Sequence, residues 1–508
     1  MPAAAPAAPR GAAPAPPAAA AGAAAAAAPP AAAGNAPSVA ARAALFGTAV
    51  EQLEEVPARV VGSIPDWLKG SLIVNGGGDY TQMAHMFDGY ALLSKARFEG
   101  GAAWGSQRFI DTEAYRSYRQ QDILAIATGG GSFTDNASVS LHAVGPAGEG
   151  GRRPRLLAVS ETPKASYLVN PDTLETLSKA TFPDKVKGDL TTAHPTPLSD
   201  GRLLNFTRSL PFGGFHIFKQ DPETLARAEV AFLPDRRPLT PAWLHDFPAN
   251  DDYAVIIEHP LYMSLPSLLF GTPKPFVFMD WLPEDGTRIT VVRLDGSEPN
   301  RVFTAPPFFV FHYSQCFEET TADGTRQLVV DMAAYDDPAI LNDLMLQPLK
   351  QPSGQVSRSY YKRMAIPLTG PKGGGGELPA PSLLVSDSND FCEFPSINPS
   401  YRGRPYRYAY VMSAVRPTNM GNALSKIDVA TGETLTWYMQ GGAVGEPLFV
   451  ARPGASDEDD GVVLAPGGGP DGRSFVVVLD AKTWAELARA ELPFATPNRF
   501  HGIFSPGA

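Results

Sequence analysis

Gly461-Val-Val-Leu464 and Ser474-Phe-Val-Val-Val-Leu479 are the runs that decide the fold class of this 508-residue chain. Each is short, apolar, and bounded by Gly, Pro, Asp or Asn, which is how a strand reads and not how a helix does. The pattern recurs upstream, at Gly70-Ser-Leu-Ile-Val74, Arg155-Leu-Leu-Ala-Val159, Tyr253-Ala-Val-Ile-Ile257, Gln327-Leu-Val-Val-Asp331 and Tyr408-Ala-Tyr-Val-Met412. It starts near Thr48 and continues without a break in composition. Helical periodicity is confined to Gln120–Ile126, Pro338–Leu346 and Trp484–Arg489. The chain therefore reads as all-β, either several sandwiches or one closed propeller. Strict sequence repetition that would separate the two is not visible.

Composition narrows the function. Forty-eight glycines and 50 prolines, near a fifth of the chain, make the body rich in turns. A net charge of −11 disfavours a dedicated nucleic-acid binder. Cys316 and Cys392 are the only cysteines, so a disulfide scaffold is excluded and a reducing compartment is indicated. Any resident metal must then be held by nitrogen or oxygen. No strongly apolar run is long enough for a transmembrane helix.

Residues 1–41 are almost entirely Ala and Pro with scattered Gly, and cannot bury enough side chain to offset the entropy of ordering them. No acidic residue precedes Glu51, as in an organelle transit peptide. The expected organisation is a disordered leader over 1–41 and one folded domain over 42–508. Gly145–Pro154, Gly370–Leu378 and Gly454–Gly461 read as surface loops. The apolar stretch Pro260–Phe270 reads either as core or as a patch that dips into a membrane.

Eight histidines are present, and four sit in informative settings. His194 lies in Thr191-Thr-Ala-His-Pro195, His245 in Trp243-Leu-His-Asp-Phe247, His312 ends Phe308-Phe-Val-Phe-His312, and His501 lies in Arg499-Phe-His-Gly502. Each alone reads as a core histidine bonded to a backbone carbonyl. Their intervals of 51, 67 and 189 residues, however, are about one, one and three propeller blades. Four histidines on inner strands could then meet at the axis. No HxxxH or HExxH pair exists, which argues against a helix-borne zinc site. His85 and His216 read as structural, and His142 and His259 as surface or loop residues.

With these motifs in view, the chain closely resembles the carotenoid cleavage dioxygenases, a non-haem iron family that includes the retinoid isomerohydrolase. The resemblance is carried by Asn75-Gly76 with His85-Met-Phe-Asp-Gly89, Ala193-His-Pro195, Leu244-His-Asp-Phe247 and Phe309-Val-Phe-His312 followed by Glu318-Glu319. Further on it rests on Ser396-Ile-Asn-Pro399, Tyr401-Arg-Gly-Arg404, Glu446-Pro447, Glu458-Asp-Asp-Gly461 and Phe500-His-Gly502. Within the family the chain is most similar to the strigolactone-pathway carlactone synthase type. Val74 and the segment Pro497-Asn-Arg499 depart from the usual pattern, which has an arginine and Pro-Tyr-Gly there.

The resemblance implies a seven-bladed β-propeller capped on its top face by a helical dome. It implies Fe(II) held by His194, His245, His312 and His501, with Glu161, Glu393 and Glu446 behind the rings. The implied reaction joins O2 to a conjugated double bond of an apocarotenal: an apo-10′-carotenal cut at its 13,14 bond, or converted to carlactone. Alternatives are action on other carotenoids, isomerisation or ester cleavage, and a carotenoid-binding propeller without catalysis. The implied setting is a plastid, otherwise the cytoplasm, with peripheral membrane contact.

Overall fold

The computed structural model describes residues 34–117, 134–145, 154–210, 213–265, 267, 274–370, 374–385 and 390–507. Seven antiparallel sheets follow one another along the chain and form the blades of a β-propeller. Their inner strands are Arg499–Pro506 (blade one), Ser140–Val144 (two), Leu190–Thr191 with Thr196–Pro197 (three) and Tyr253–Glu258 (four). Phe309–Thr320 (five), Cys392–Ile397 (six) and Ala443–Val444 with Leu448–Ala451 (seven) complete the ring.

The two ends of the chain lock that ring. The last strand, Arg499–Pro506, pairs with Gly70–Gly77 in blade one. The early strand Arg59–Gly62 pairs with Glu486–Glu491 at the outer edge of blade seven. The opening runs show why the pattern is so apolar. Gly461–Gly468 is buried throughout, and Ser474–Asp480 up to its last residue, because both faces pack against other blades. Glu486–Glu491, next to the edge strand Arg59–Gly62, begins exposed at Glu486 and then alternates between partly exposed and buried residues.

That outer strand corrects the helix expected over Trp484–Arg489. Trp484 stands at φ +62° in the turn that leads into it. The turn is also a repeat that the apolar pattern hides. Asn170-Pro-Asp-Thr-Leu174, Asp221-Pro-Glu-Thr-Leu225, Asp428-Val-Ala-Thr-Gly432 and Asp480-Ala-Lys-Thr-Trp484 join the third and fourth strands of blades two, three, six and seven. In each, the side chain of the first residue accepts backbone N–H groups just ahead, and the fifth residue turns back at positive φ.

Other expectations meet mixed outcomes. Pro338–Leu346 forms one-turn helices, Ile340–Asp343 and the start of Leu346–Leu349. Gln120–Ile126 lies outside the described residues. Gly375–Glu377, expected within a loop, instead runs parallel to Arg301–Ala305 at the edge of blade four. Leu261 and Met263 are core residues in a ribbon with Met279–Trp281, while residues 266 and 268–270 of the stretch lie outside the described residues. The cap over the site uses this ribbon and single helical turns; the longest helix among the described residues, Val39–Leu45, lies elsewhere. That helix straddles the expected boundary at residue 41. Its Ser38 N-cap and Asn35 bond to Gly441, Pro470 and Tyr438 on blades six and seven.

Candidate metal centre

His312 and His501 sit within inner strands, whereas His194 and His245 sit on segments next to them. A β-bulge distorts the pairing around His312, another lies at Gly76 opposite Arg499–Gly502, and a third follows Glu393. Bulges re-aim side chains. Phe311 and His312, consecutive in the strand, both meet the His245 ring, at 5.2 and 5.0 Å between centroids. Simple alternation would have sent one of them to the other face.

The four histidines converge, each offering one ring nitrogen, and those nitrogens lie within 4.8 Å of one another. His194 Nε2 is 3.0 Å from His245 Nε2, which is 3.3 Å from His312 Nε2. His245 Nδ1 donates to Glu161, His312 Nδ1 to Glu393 at 2.6 Å, and His501 Nδ1 to Glu446 at 2.9 Å. Among the described residues, no carboxylate bonds the His194 ring. All seven expected residues therefore come together, one from each blade: His501, Glu161, His194, His245, His312, Glu393 and Glu446 in blade order.

The electrostatics favour neutral rings at His194 and His312, whereas at His245 the cost of burial is outweighed by the Glu161 carboxylate, which raises that ring above the ordinary imidazole range. Burial, then the neighbouring histidines, hold His194 and His312 well below the ordinary imidazole range. Burial pushes Glu393 up to about 7, against hydrogen bonds from Tyr335 and the Phe394 N–H. When both rings are neutral, with their Nδ1 protons given to carboxylates, His245 and His312 point bare Nε2 lone pairs at each other. Two acceptors at that distance repel, and a cation between them removes the repulsion. The donor set thus fits a nitrogen-preferring divalent metal.

Some supports were not legible as site residues. Thr192 accepts the His194 N–H and donates to the His245 carbonyl, tying two histidine segments together. Asp246, next to His245, accepts the N–H of Tyr313, next to His312, at 3.0 Å. Its position beside a histidine was the only available signal. His142 and His259 correct the expectation of surface residues. His142 lies on the inner strand of blade two, bonded to Ser140 and the Ala193 carbonyl, and His259 is buried against Phe308. His85 is structural, capping Met86–Asp88 and bonding the Leu341 carbonyl.

Two kinds of space meet at the cluster. On one side are two narrow apolar cavities of about 80 Å3 each, one reaching Trp243 and Met279, the other Phe311, His245, His312 and His501. Phe87 lines both and stacks parallel on His245 at 6.3 Å. On the other side a channel of about 890 Å3 runs past His142, His194, Gln315 and Arg402.

Comparisons with known proteins agree with this geometry. The family profile described as "Retinal pigment epithelial membrane protein" matches residues 46–506. The chloroplastic "Carotenoid cleavage dioxygenase 8 homolog A" of rice (Oryza sativa subsp. japonica) is 35% identical over 88% of this chain and 84% of its own. The chloroplastic carotenoid cleavage dioxygenase 8 of Arabidopsis thaliana is 31% identical over 90% and 85%. Among solved structures, a Glu150Asp mutant of the Synechocystis apocarotenoid oxygenase superposes with a TM-score of 0.74 at 23% identity, covering 93% of this chain and all of that one. With a matching profile over nearly the whole folded length and plant relatives above 30% identity, the chain belongs to the carotenoid oxygenase family of non-haem iron dioxygenases and is an oxygenase.

Proposed function

We propose that the protein is an Fe(II) dioxygenase that cleaves one conjugated double bond of an apocarotenal, with an apo-10′-carotenal cut at the 13,14 bond as the expected reaction. The observation that carries this reading is the convergence of four imidazole nitrogens, with the three glutamate-braced rings on the wall of an apolar cavity. His194, His245, His312 and His501 would hold the iron, and Glu161, Glu393 and Glu446 would fix which ring nitrogen faces it. Iron bound there supplies the redox chemistry that lets O2 react with a closed-shell polyene. The protein's part is positional. Phe87, Phe311 and Trp243 keep the polyene side dry, so that water does not compete with O2 at the reacting double bond. The balance is simple: one carbon–carbon double bond breaks, and each product keeps one oxygen atom of O2.

The test is incubation with all-trans and 9-cis apo-10′-carotenal under isotopically labelled O2, followed by mass spectrometry. Labelled carbonyl products are expected. Cleavage of intact carotenoids with no turnover of either apocarotenal would overturn the substrate assignment, and full activity with zinc alone would overturn the iron assignment.

The reading extends to place and surface. A plastid location is supported by the acid-free N-terminal sequence and by relatives named chloroplastic. Deleting residues 1–33, short of docked Asn35, should preserve activity in vitro and change localisation in cells. Peripheral membrane contact is supported by exposed Leu239, which bonds Leu265 near the ribbon. Flotation with lipid vesicles tests it, and loss of flotation in Leu239→Glu is the expected result. No described helix is long and apolar enough to cross a membrane.

A further inference from the structure

Arg499 stands two residues before His501, in the segment where the sequence departs from its family's usual pattern. It is only 8% exposed. Its Nη2 donates to the Gly467 carbonyl at 2.9 Å, and no carboxylate among the described residues pairs with it. The other buried arginines contrast with it. Arg208 pairs with Asp235, and Arg227 with Asp184 at 2.8 Å. A buried guanidinium without a counter-ion is costly unless something supplies the missing acceptor.

The surroundings show what that could be. Arg499 lines the apolar cavity that His245, His312 and His501 also line. Asn419 lines the same cavity, and its Nδ2 is committed to the Leu349 and Gln351 carbonyls at 3.1 and 2.8 Å. Its Oδ1 is buried without a hydrogen-bond partner. Glu161 and Glu393 also line it, each committed to a histidine ring, and the rest of the wall is largely apolar, with Met86, Phe87, Phe311, Leu344 and Val444. A mostly apolar cavity with a few polar groups is how a protein fixes the direction of a long apolar ligand.

We propose that Arg499, with Asn419, forms a seat for the oxygen-bearing end of the polyene, so that this end lodges in the cavity beside the histidines while the hydrocarbon end extends past Phe87. Guanidinium donates and never accepts, so the group it takes is an acceptor oxygen. A carboxylate satisfies both the hydrogen bond and the charge, whereas an aldehyde satisfies the hydrogen bond alone. Asn419 Oδ1 accepts from a water that hydrates the same oxygen. The seat deepens the cleavage reading, on which it relies only for a polyene occupant.

The experiment uses three polyenes of one length, ending in a carboxylate, an aldehyde or a methyl group. Affinity is read on the iron-loaded enzyme without O2, by quenching of tryptophan fluorescence, and KM and products are read with O2. Wild type should bind the acid tightest and the methyl-ended polyene weakest. Arg499→Met should weaken the acid by about 10–100-fold, the aldehyde by about tenfold, and the methyl-ended polyene by less than about twofold. Arg499→Lys should keep part of the preference for the acid. A wild type that does not discriminate among the three overturns the seat, even if Arg499→Met fails to fold. A folded Arg499→Met that weakens all three equally makes Arg499 a pin between blades one and seven instead. Discrimination in binding without cleavage of any of the three would leave the seat standing and overturn the proposed reaction.

Discussion

The two sides of the histidine cluster are built from the same inner blade strands, yet they differ in every property that matters to chemistry. On the apolar side Phe87 stacks on His245, and Trp243 stacks on Phe309 at 6.2 Å. On the channel side His142, Asp246, Gln315 and Arg402 line a cavity about ten times larger. The difference follows from what each must exclude. A polyene gains about 25 cal/mol for each Å2 it removes from water, so its side must be narrow and dry. The channel side keeps hydrogen-bonding groups that would be costly to bury without partners. The metal candidate sits on the boundary, its rings braced by carboxylates.

The most severe way to break this contrast is to remove the partition itself. His312→Ala should abolish iron retention and lower cleavage by more than about 100-fold, beyond what changes behind a metal ligand cost. Elemental analysis and product assays would check it, and retained activity would remove His312 from the centre. Behind the partition, Glu393→Gln should cost about 10–100-fold in iron retention or rate. Glu446→Gln should cost less, because Glu393 also orders the Tyr335 hydroxyl, at 2.7 Å.

Substitutions on either side should then separate. Trp243→Ala on the apolar side should destabilise the fold by about 3–5 kcal/mol and raise KM about tenfold, measured by thermal melting and steady-state kinetics. Arg402→Gln on the channel side should leave KM within about twofold and stability within about 0.5 kcal/mol. Equal effects from the two would show that both spaces contact the substrate.

Much of this was legible in the residues. Runs such as Ser474–Leu479 announce strands because they are buried on both faces and need no polar side. The four histidine motifs were legible through their local settings, and the three glutamates through the family resemblance that those motifs carry. The blade turns beginning at Asn170, Asp221, Asp428 and Asp480 were missed, because the apolar pattern conceals them. They repeat a polar first residue and a threonine and vary elsewhere. Trp484–Arg489 misled because Trp484, Leu487 and Ala488 have helical spacing, while the strand Glu486–Glu491 is set by its pairing with Ser474–Asp480.

The closed ring rested on the family resemblance, and by itself the sequence determined the strand-rich class and the chemistry of the donor set. These depend on side-chain type and local spacing. Only the tertiary structure decided that Glu161 braces His245, Glu393 braces His312 and Glu446 braces His501, partners 84, 81 and 55 residues apart. It alone buried His259, placed His142 on an inner strand, and set Arg499 in the cavity wall with no carboxylate paired to it among the described residues. Such pairings depend on which blade ends face one another across the axis. That order is imposed by ring closure through Arg499–Pro506 and Arg59–Gly62, contacts too distant along the chain for any local pattern to encode.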